Sequence, residues 1–159
     1  MVTIRIRTPR PELLCEPPKP SAMNGVNPRT IKGKEWWNET RRQAYKAAGG
    51  TCSACGYNPA SAPLEAHEVY DVSWVEGKLI LREVVALCQF CHTYIHRGIH
   101  RDSRHCNQKL YQASMKYCTK LLEDLGLKPL RTPRHNIPWY SWYLELEGKK
   151  YFPVHEEPR

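Results

Sequence analysis

Cys52-Ser53-Ala54-Cys55 and Leu87-Cys88-Gln89-Phe90-Cys91-His92-Thr93-Tyr94-Ile95-His96, with Leu64-Glu65-Ala66-His67-Glu68-Val69 between them, decide how this chain folds. Each CxxC is a tight turn that aims two sulfurs at one point. Two such turns about thirty residues apart have the spacing of a four-sulfur zinc site. Zn²⁺ suits four thiolates because it is redox-silent and meets no electronic penalty in a tetrahedron. A structural ion contributes on the order of 10–16 kcal/mol of coupled folding free energy in small modules, which offsets the small core that a short segment can bury. A thioredoxin-like redox pair, or four unligated thiols, would not explain why the two pairs bracket a hairpin. Structural Zn²⁺ on Cys52, Cys55, Cys88 and Cys91 is therefore the expectation.

The histidines form a separate set. His92 and His96 are four residues apart and share one helix face, a usual arrangement for two ligands of one metal. Leu64 to Val72 reads as a strand, Val75 to Lys78 as a turn, and Leu79 to Leu87 as a second strand. A helix follows from about Cys91 to about Arg97. His67 lies on the first strand of that hairpin, which would pack on the helix as a ββα unit. Three neutral imidazoles converging there would bind a divalent cation and leave positions open for water and phosphate. His100 lies a further four residues on, beyond Gly98, and is expected outside the set. Cys15, Cys106 and Cys118 are left over, Cys118 as a small buried hydrophobe on a helical stripe.

Outward from this module the chain is basic. It has 159 residues and a formal net charge of +8. Residues 1–50 carry ten Lys/Arg against four Asp/Glu, residues 51–106 five against six, and residues 107–159 nine against six. The positive surplus flanks the metal-spacing region, as in a protein that meets a polyanion, or as simple solubilising charge. Residues 1–33 read as an extended, basic, proline-rich arm; Arg5, Arg7 and Arg10 either follow a phosphate backbone or are solvated. Residues 34–126 read as the zinc-containing domain, with flanking helices at 34–48 and 107–125. Residues 127–159 read as a linker and an aromatic β-hairpin (Trp139, Trp142, Tyr143, Tyr151) that either packs on the core or docks a protein partner. No stretch approaches the ~20 apolar residues of a membrane helix, and no apolar leader is visible. The expectation is an intracellular, cytoplasmic α+β protein with no membrane contact.

The combined pattern of knuckle, Leu64-Glu65-Ala66-His67-Glu68 and Leu87-Cys88-Gln89-Phe90-Cys91-His92-Thr93-Tyr94-Ile95-His96 resembles the HNH endonuclease family, over about residues 50–97. The resemblance implies a treble-clef-like ββα-metal core, stabilised by zinc, that cleaves DNA phosphodiester bonds. It implies His67 as the strand ligand of a catalytic metal and His92 and His96 as the helix ligands. Mg²⁺ or Mn²⁺ would be the first expectation, and imidazoles also suit Zn²⁺ or Ni²⁺. DNA, ahead of RNA, would be the partner, and a phage-infected or bacterial cell the setting. Two positions depart from the family pattern. Glu68 stands where the family has a histidine general base, and Glu83 is the nearest match to the asparagine that orients that base. Glu68 would then activate water, with Arg97, Arg101 and Arg104 on the phosphate backbone or solvated. The alternative is a zinc module of the same build that binds DNA or RNA without cutting it.

Overall fold

The computed structural model describes residues 8–101 and 106–154. Alternating apolar residues build the first two strands, β1 (Glu65–Ser73) and β2 (Lys78–Leu87), which pair antiparallel from Glu65↔Leu87 to Ser73↔Lys78. The register slips between Val69 and Tyr70, where Arg82 is the extra residue on β2. The connecting turn needs Gly77: its φ is +69°, and a Cβ there would meet Ile137 Cγ2 at 2.9 Å. β3 (Tyr143–Leu146) joins β2 in parallel, and β4 (Lys149–Tyr151) returns antiparallel through a two-residue turn, Glu147-Gly148, with both φ values positive. The sheet order is β1-β2-β3-β4.

Among the described residues, five helices accompany the sheet: α1 (Pro28–Lys32), α2 (Lys34–Ala48), α3 (Gln89–Ile95), α4 (Arg97–Arg101) and α5 (Gln108–Asp124). The architecture is α+β, as expected. Asn27 caps α1 by accepting from Thr30 N at 2.9 Å, and Asn107 caps α5 by accepting from Leu110 N at 3.1 Å. Gly49, in the left-handed region, ends α2. The expected helix over Cys91–Arg97 begins at Gln89 and stops at Ile95; a new short helix carries Arg97 to Arg101. None of the described helices is long and apolar enough to cross a membrane.

Two apolar clusters hold these elements. The larger joins Val69, Val85 and Leu87 of the sheet to Tyr94 of α3, Cys118 and Leu122 of α5, and the four cysteines of the two knuckles. The smaller packs Leu79, Trp142 and Leu144 around Met23 and Val26. Both clusters recruit the segment read as an extended arm. Residues 11–14 and 21–23 form 3-10 turns; Leu13, Leu14, Cys15, Met23 and Val26 are buried. The prolines exclude long helix and central strand, yet Pro11 and Pro28 sit at helix starts, where a fixed φ is favourable. Apolar residues between prolines outweigh the reading as an arm; residues 1–7 lie outside the described part. The hairpin at 143–151 packs into the sheet, so its inner face is core. Trp142 is 1% exposed. Trp142→Ala is expected to cost about 3–5 kcal/mol, measured by denaturant unfolding.

Candidate metal centres

The first knuckle forms because Gly56 N donates to Cys52 O at 2.9 Å and Cys52 N to Tyr57 O at 2.8 Å. Ser53 N donates to Ala86 O at 2.8 Å, which ties this turn to the end of β2, where the second knuckle begins. One ligand atom from each of Cys52, Cys55, Cys88 and Cys91 lies within 4.8 Å of every other. Cys55 Sγ and Cys88 Sγ are 3.8 Å apart. A tetrahedron with Zn–S arms of about 2.3 Å has edges of about 3.8 Å. The donor set therefore fits a zinc-class ion.

Electrostatics supports the same fit. Four thiols at one point compete for negative charge. Cys52 is held well below the usual thiol range by hydrogen bonding from Cys55, Cys88 and Cys91. Cys88 is pushed up by Cys52 and then Cys55, and Cys91 by Cys118 and then Cys52. A divalent cation removes this conflict, because all four sulfurs can then ionise. α5 closes the site: Cys118 is fully buried, its Sγ 3.7 Å from Phe90 O. Tyr117 next to it is raised, by burial first and then by its hydrogen bond with Cys55.

The second group lies on the helix side of β1. His67, His92 and His96, all half-buried, bring one ligand atom each to within 4.8 Å of the others. His67 Nδ1 and His96 Nε2 are 3.2 Å apart. The ring centroids are 4.8–5.5 Å apart, edge to face. Burial, then the nearby His96, His92 and Lys19, hold His67 down to about 3. Burial, then His92, His100, Lys19 and Arg29, hold His96 down to about 4. Both rings are neutral near pH 7, the form that ligates a metal.

A depressed histidine contributes stability above its unfolded pKa of about 6.5, and that stability is lost as pH falls through the folded pKa. The metal-free protein is therefore expected to lose stability between pH 6.5 and about 3, by up to a few kcal/mol. Urea midpoints across that range would check this, and a flat profile would refute it.

Glu65 is the residue that sequence reasoning missed. Its Oε2 lies 2.6 Å from His92 Nδ1. A carboxylate accepts only, so the proton sits on Nδ1 and leaves Nε2 for an ion. The signal was present: Glu65 is two residues before His67, so the strand pleat puts both on one face. Glu65→Gln is expected to weaken metal binding at this centre by about 10–100-fold with the cysteine site intact. Calorimetric titration with Mn²⁺ or Ni²⁺ reads it, and unchanged affinity would remove Glu65 from the site.

The other predicted residues fall elsewhere. Glu68 follows His67 on a regular stretch of strand, so it points to the opposite face of β1. Its side chain is 11% exposed, and Oε1 has no hydrogen-bond partner; the nearest cation is Arg29, whose Nη2 lies 3.5 Å away, close enough for charge attraction but outside hydrogen-bonding geometry. Glu83 is gripped by Arg10, at 2.7 and 3.1 Å, which also places Arg10 in an ion pair rather than in solvent. Arg97 stacks 4.5 Å over the Tyr94 ring and donates to Tyr94 O. Arg97 and Arg101 line a cleft of about 340 Å³ between α3–α4 and α5, with Tyr111 and Met115. Arg104 lies outside the described residues. His100 is absent from the three-histidine group, as expected. No family model, curated protein or solved structure matches the chain.

Proposed function

We propose that the protein is a metal-dependent endonuclease of HNH type, hydrolysing DNA phosphodiester bonds on a treble-clef-like ββα-metal core. The observation that carries this reading is the convergence of His67 from β1 with His92 and His96 from the end of α3, beside a separate four-cysteine site. Division of labour follows from donor chemistry. Four thiolates satisfy a tetrahedral ion and leave no position for substrate, so that site stabilises. Three imidazoles leave positions open, so that site can meet a phosphate.

When bound there, a divalent cation such as Mg²⁺ or Mn²⁺ supplies charge neutralisation at the scissile phosphate and its leaving oxygen. The chain supplies the rest. Glu65 fixes the His92 ring, and burial keeps His67 and His96 unprotonated. Water activation then falls to a group on the histidine side of β1.

The test is plasmid cleavage by wild-type protein with Mg²⁺, Mn²⁺, Ni²⁺ or Zn²⁺. Nicked or linear product is expected; no product with any of these metals across pH 6–9 overturns the reading. One observation favours a second reading, nucleic-acid binding without cutting. The position of the family's histidine base holds Glu68, and Arg29 lies beside it. That reading predicts salt-sensitive binding of duplex or single strands and no product.

A further inference from the structure

The cleft of about 340 Å³ between α3–α4 and α5 joins two kinds of residue. Ile95 and Met115 give it an apolar wall and Tyr111 adds an aromatic ring, while Arg97 and Arg101 stand beside them. Ile95 and Met115 also pack on the larger apolar cluster, so this wall is the outer skin of the core and is held in place. The guanidinium of Arg97 is held too. It stacks 4.5 Å over the Tyr94 ring, and Nη1 donates to Tyr94 O at 3.0 Å. That bond uses one of the five N–H groups of a guanidinium. Gly98 lines the same cleft, and a Cβ built on it would meet nothing within 4 Å. The charge around the cleft has one sign. Along α3, α4 and α5 up to Lys120, five Lys/Arg stand with no Asp/Glu among the described residues. The cleft also adjoins the histidine centre through the chain itself. His96 is the single residue between α3 and α4, and its neighbours on both sides, Ile95 and Arg97, line the cleft. His96 turns instead to His67, with 3.2 Å from Nε2 to Nδ1. Consecutive Cα atoms are about 3.8 Å apart, so cleft and centre share one stretch of backbone.

We infer that this cleft is a nucleotide pocket, which takes one unpaired base of a nucleic-acid strand against Ile95, Tyr111 and Met115 and the adjoining phosphate on Arg97. This rests on the reading of the histidine cluster as the site that meets the strand. The ligand has to combine a flat apolar part with negative charge, because the wall is apolar and aromatic and the surroundings are cationic. A nucleotide has both parts. A volume of about 340 Å³ lies at the low end of the roughly 300–1,000 Å³ in which small ligands are held, and so suits a single nucleotide. A base inside a duplex is stacked and paired and cannot enter; an unpaired one can. It offers a π-face to the tyrosine, and the Met115 thioether adds a favourable contact with an aromatic ring. Arg97 is suited to the phosphate because a guanidinium already stacked and hydrogen-bonded is oriented before the anion arrives. The substrate class that follows is a strand that is locally unpaired close to the phosphate it presents to the histidines.

The test compares two fluorescein-labelled oligomers of equal length by anisotropy, with no divalent metal added: oligothymidylate, and the same deoxyribose-phosphate chain without bases. Both carry the same charge, so their difference reads the base alone. Wild type is expected to bind the base-bearing strand about tenfold more tightly. Tyr111→Ala removes the ring and Gly98→Phe fills the cleft; each is expected to abolish that preference and to leave binding of the abasic strand unchanged. Tyr111→Phe keeps the ring and Gly98→Ala leaves most of the cleft open. Both should retain the preference, which separates loss of the pocket from loss of fold. Arg97→Ala is expected to weaken both strands and to lower the log–log salt slope by about 0.7, with Arg97→Lys keeping the slope. AMP is expected to bind at least tenfold more weakly than the strand. AMP bound as tightly as the strand, and lost in the same variants, would make the ligand a free nucleotide and overturn the strand assignment. Equal affinity of wild type for the two oligomers overturns the pocket, and so does a preference that survives both Tyr111→Ala and Gly98→Phe. Plasmid cleavage by a wild type that binds the two oligomers equally sinks the pocket alone. A base preference lost in the variants of a protein that cuts nothing upholds the pocket and sinks the nuclease reading instead.

Discussion

Cys91→Ser is expected to leave the chain without its native fold. Cys91 is fully buried, and it belongs at once to the sulfur site and to the larger apolar cluster. A structural zinc in small modules carries on the order of 10–16 kcal/mol of binding free energy that is also folding free energy. Whole domains are stable by only about 5–15 kcal/mol. Losing the ion therefore costs about as much as the whole net stability of a domain. The expected readings are a collapsed near-ultraviolet dichroism signal, rapid proteolysis, and less than one zinc per chain against one in wild type. Chelation of the wild-type protein should give the same outcome. Cys118→Ala is the control, since Cys118 is equally buried but stands outside the ligand group. It should keep its zinc and lose only about 1–2 kcal/mol. A Cys91→Ser protein that melts like wild type, with no zinc in either, would refute the assignment.

The second large effect is functional. His92→Ala is expected to abolish plasmid cleavage while zinc content and unfolding midpoint stay near wild type. Metal-assisted charge stabilisation is worth several kcal/mol in the transition state. Losing about 4 kcal/mol lowers the rate about 10³-fold. The separation is physically reasonable because His92 is only half-buried, and its partner Glu65 is exposed. Little apolar packing is lost with the ring. Equal cleavage by His92→Ala and wild type would take the histidine cluster out of the chemistry. Unfolding of the variant would instead make the cluster structural.

The sequence carried the module well and its surroundings poorly, for identifiable reasons. Strand alternation, the knuckle spacing and the four-residue step from His92 to His96 are local periodicities, so β1, β2, α3 and both ligand groups could be read directly. The role of residues 8–33 is not local. Leu13, Leu14 and Met23 look unremarkable among prolines until the sheet and α5 are in place to cover them. Glu68 was assigned by its position beside His67, yet the pleat that presents one to the helix turns the other away. The resemblance to HNH endonucleases pointed to the metal-spacing residues and carried no information about residues 8–33.

The parallel pairing of Leu79 with Leu144 has a consequence for the order of assembly. The two metal groups lie between Cys52 and His96, within one short span of chain, so their loop-closure entropy is small and they can form early on a growing polypeptide. The smaller cluster cannot. It needs Trp142 and Leu144 to seat Met23 and Val26, with Ile31 of α1 and Tyr70 of β1 packed against it. A nascent chain would thus gather its two ligand groups first and its smaller cluster last, once the final strands emerge and long-range closure fixes α1. Synthesis itself then orders assembly, with the metal-ligand groups gathered before the cluster that the final strands complete.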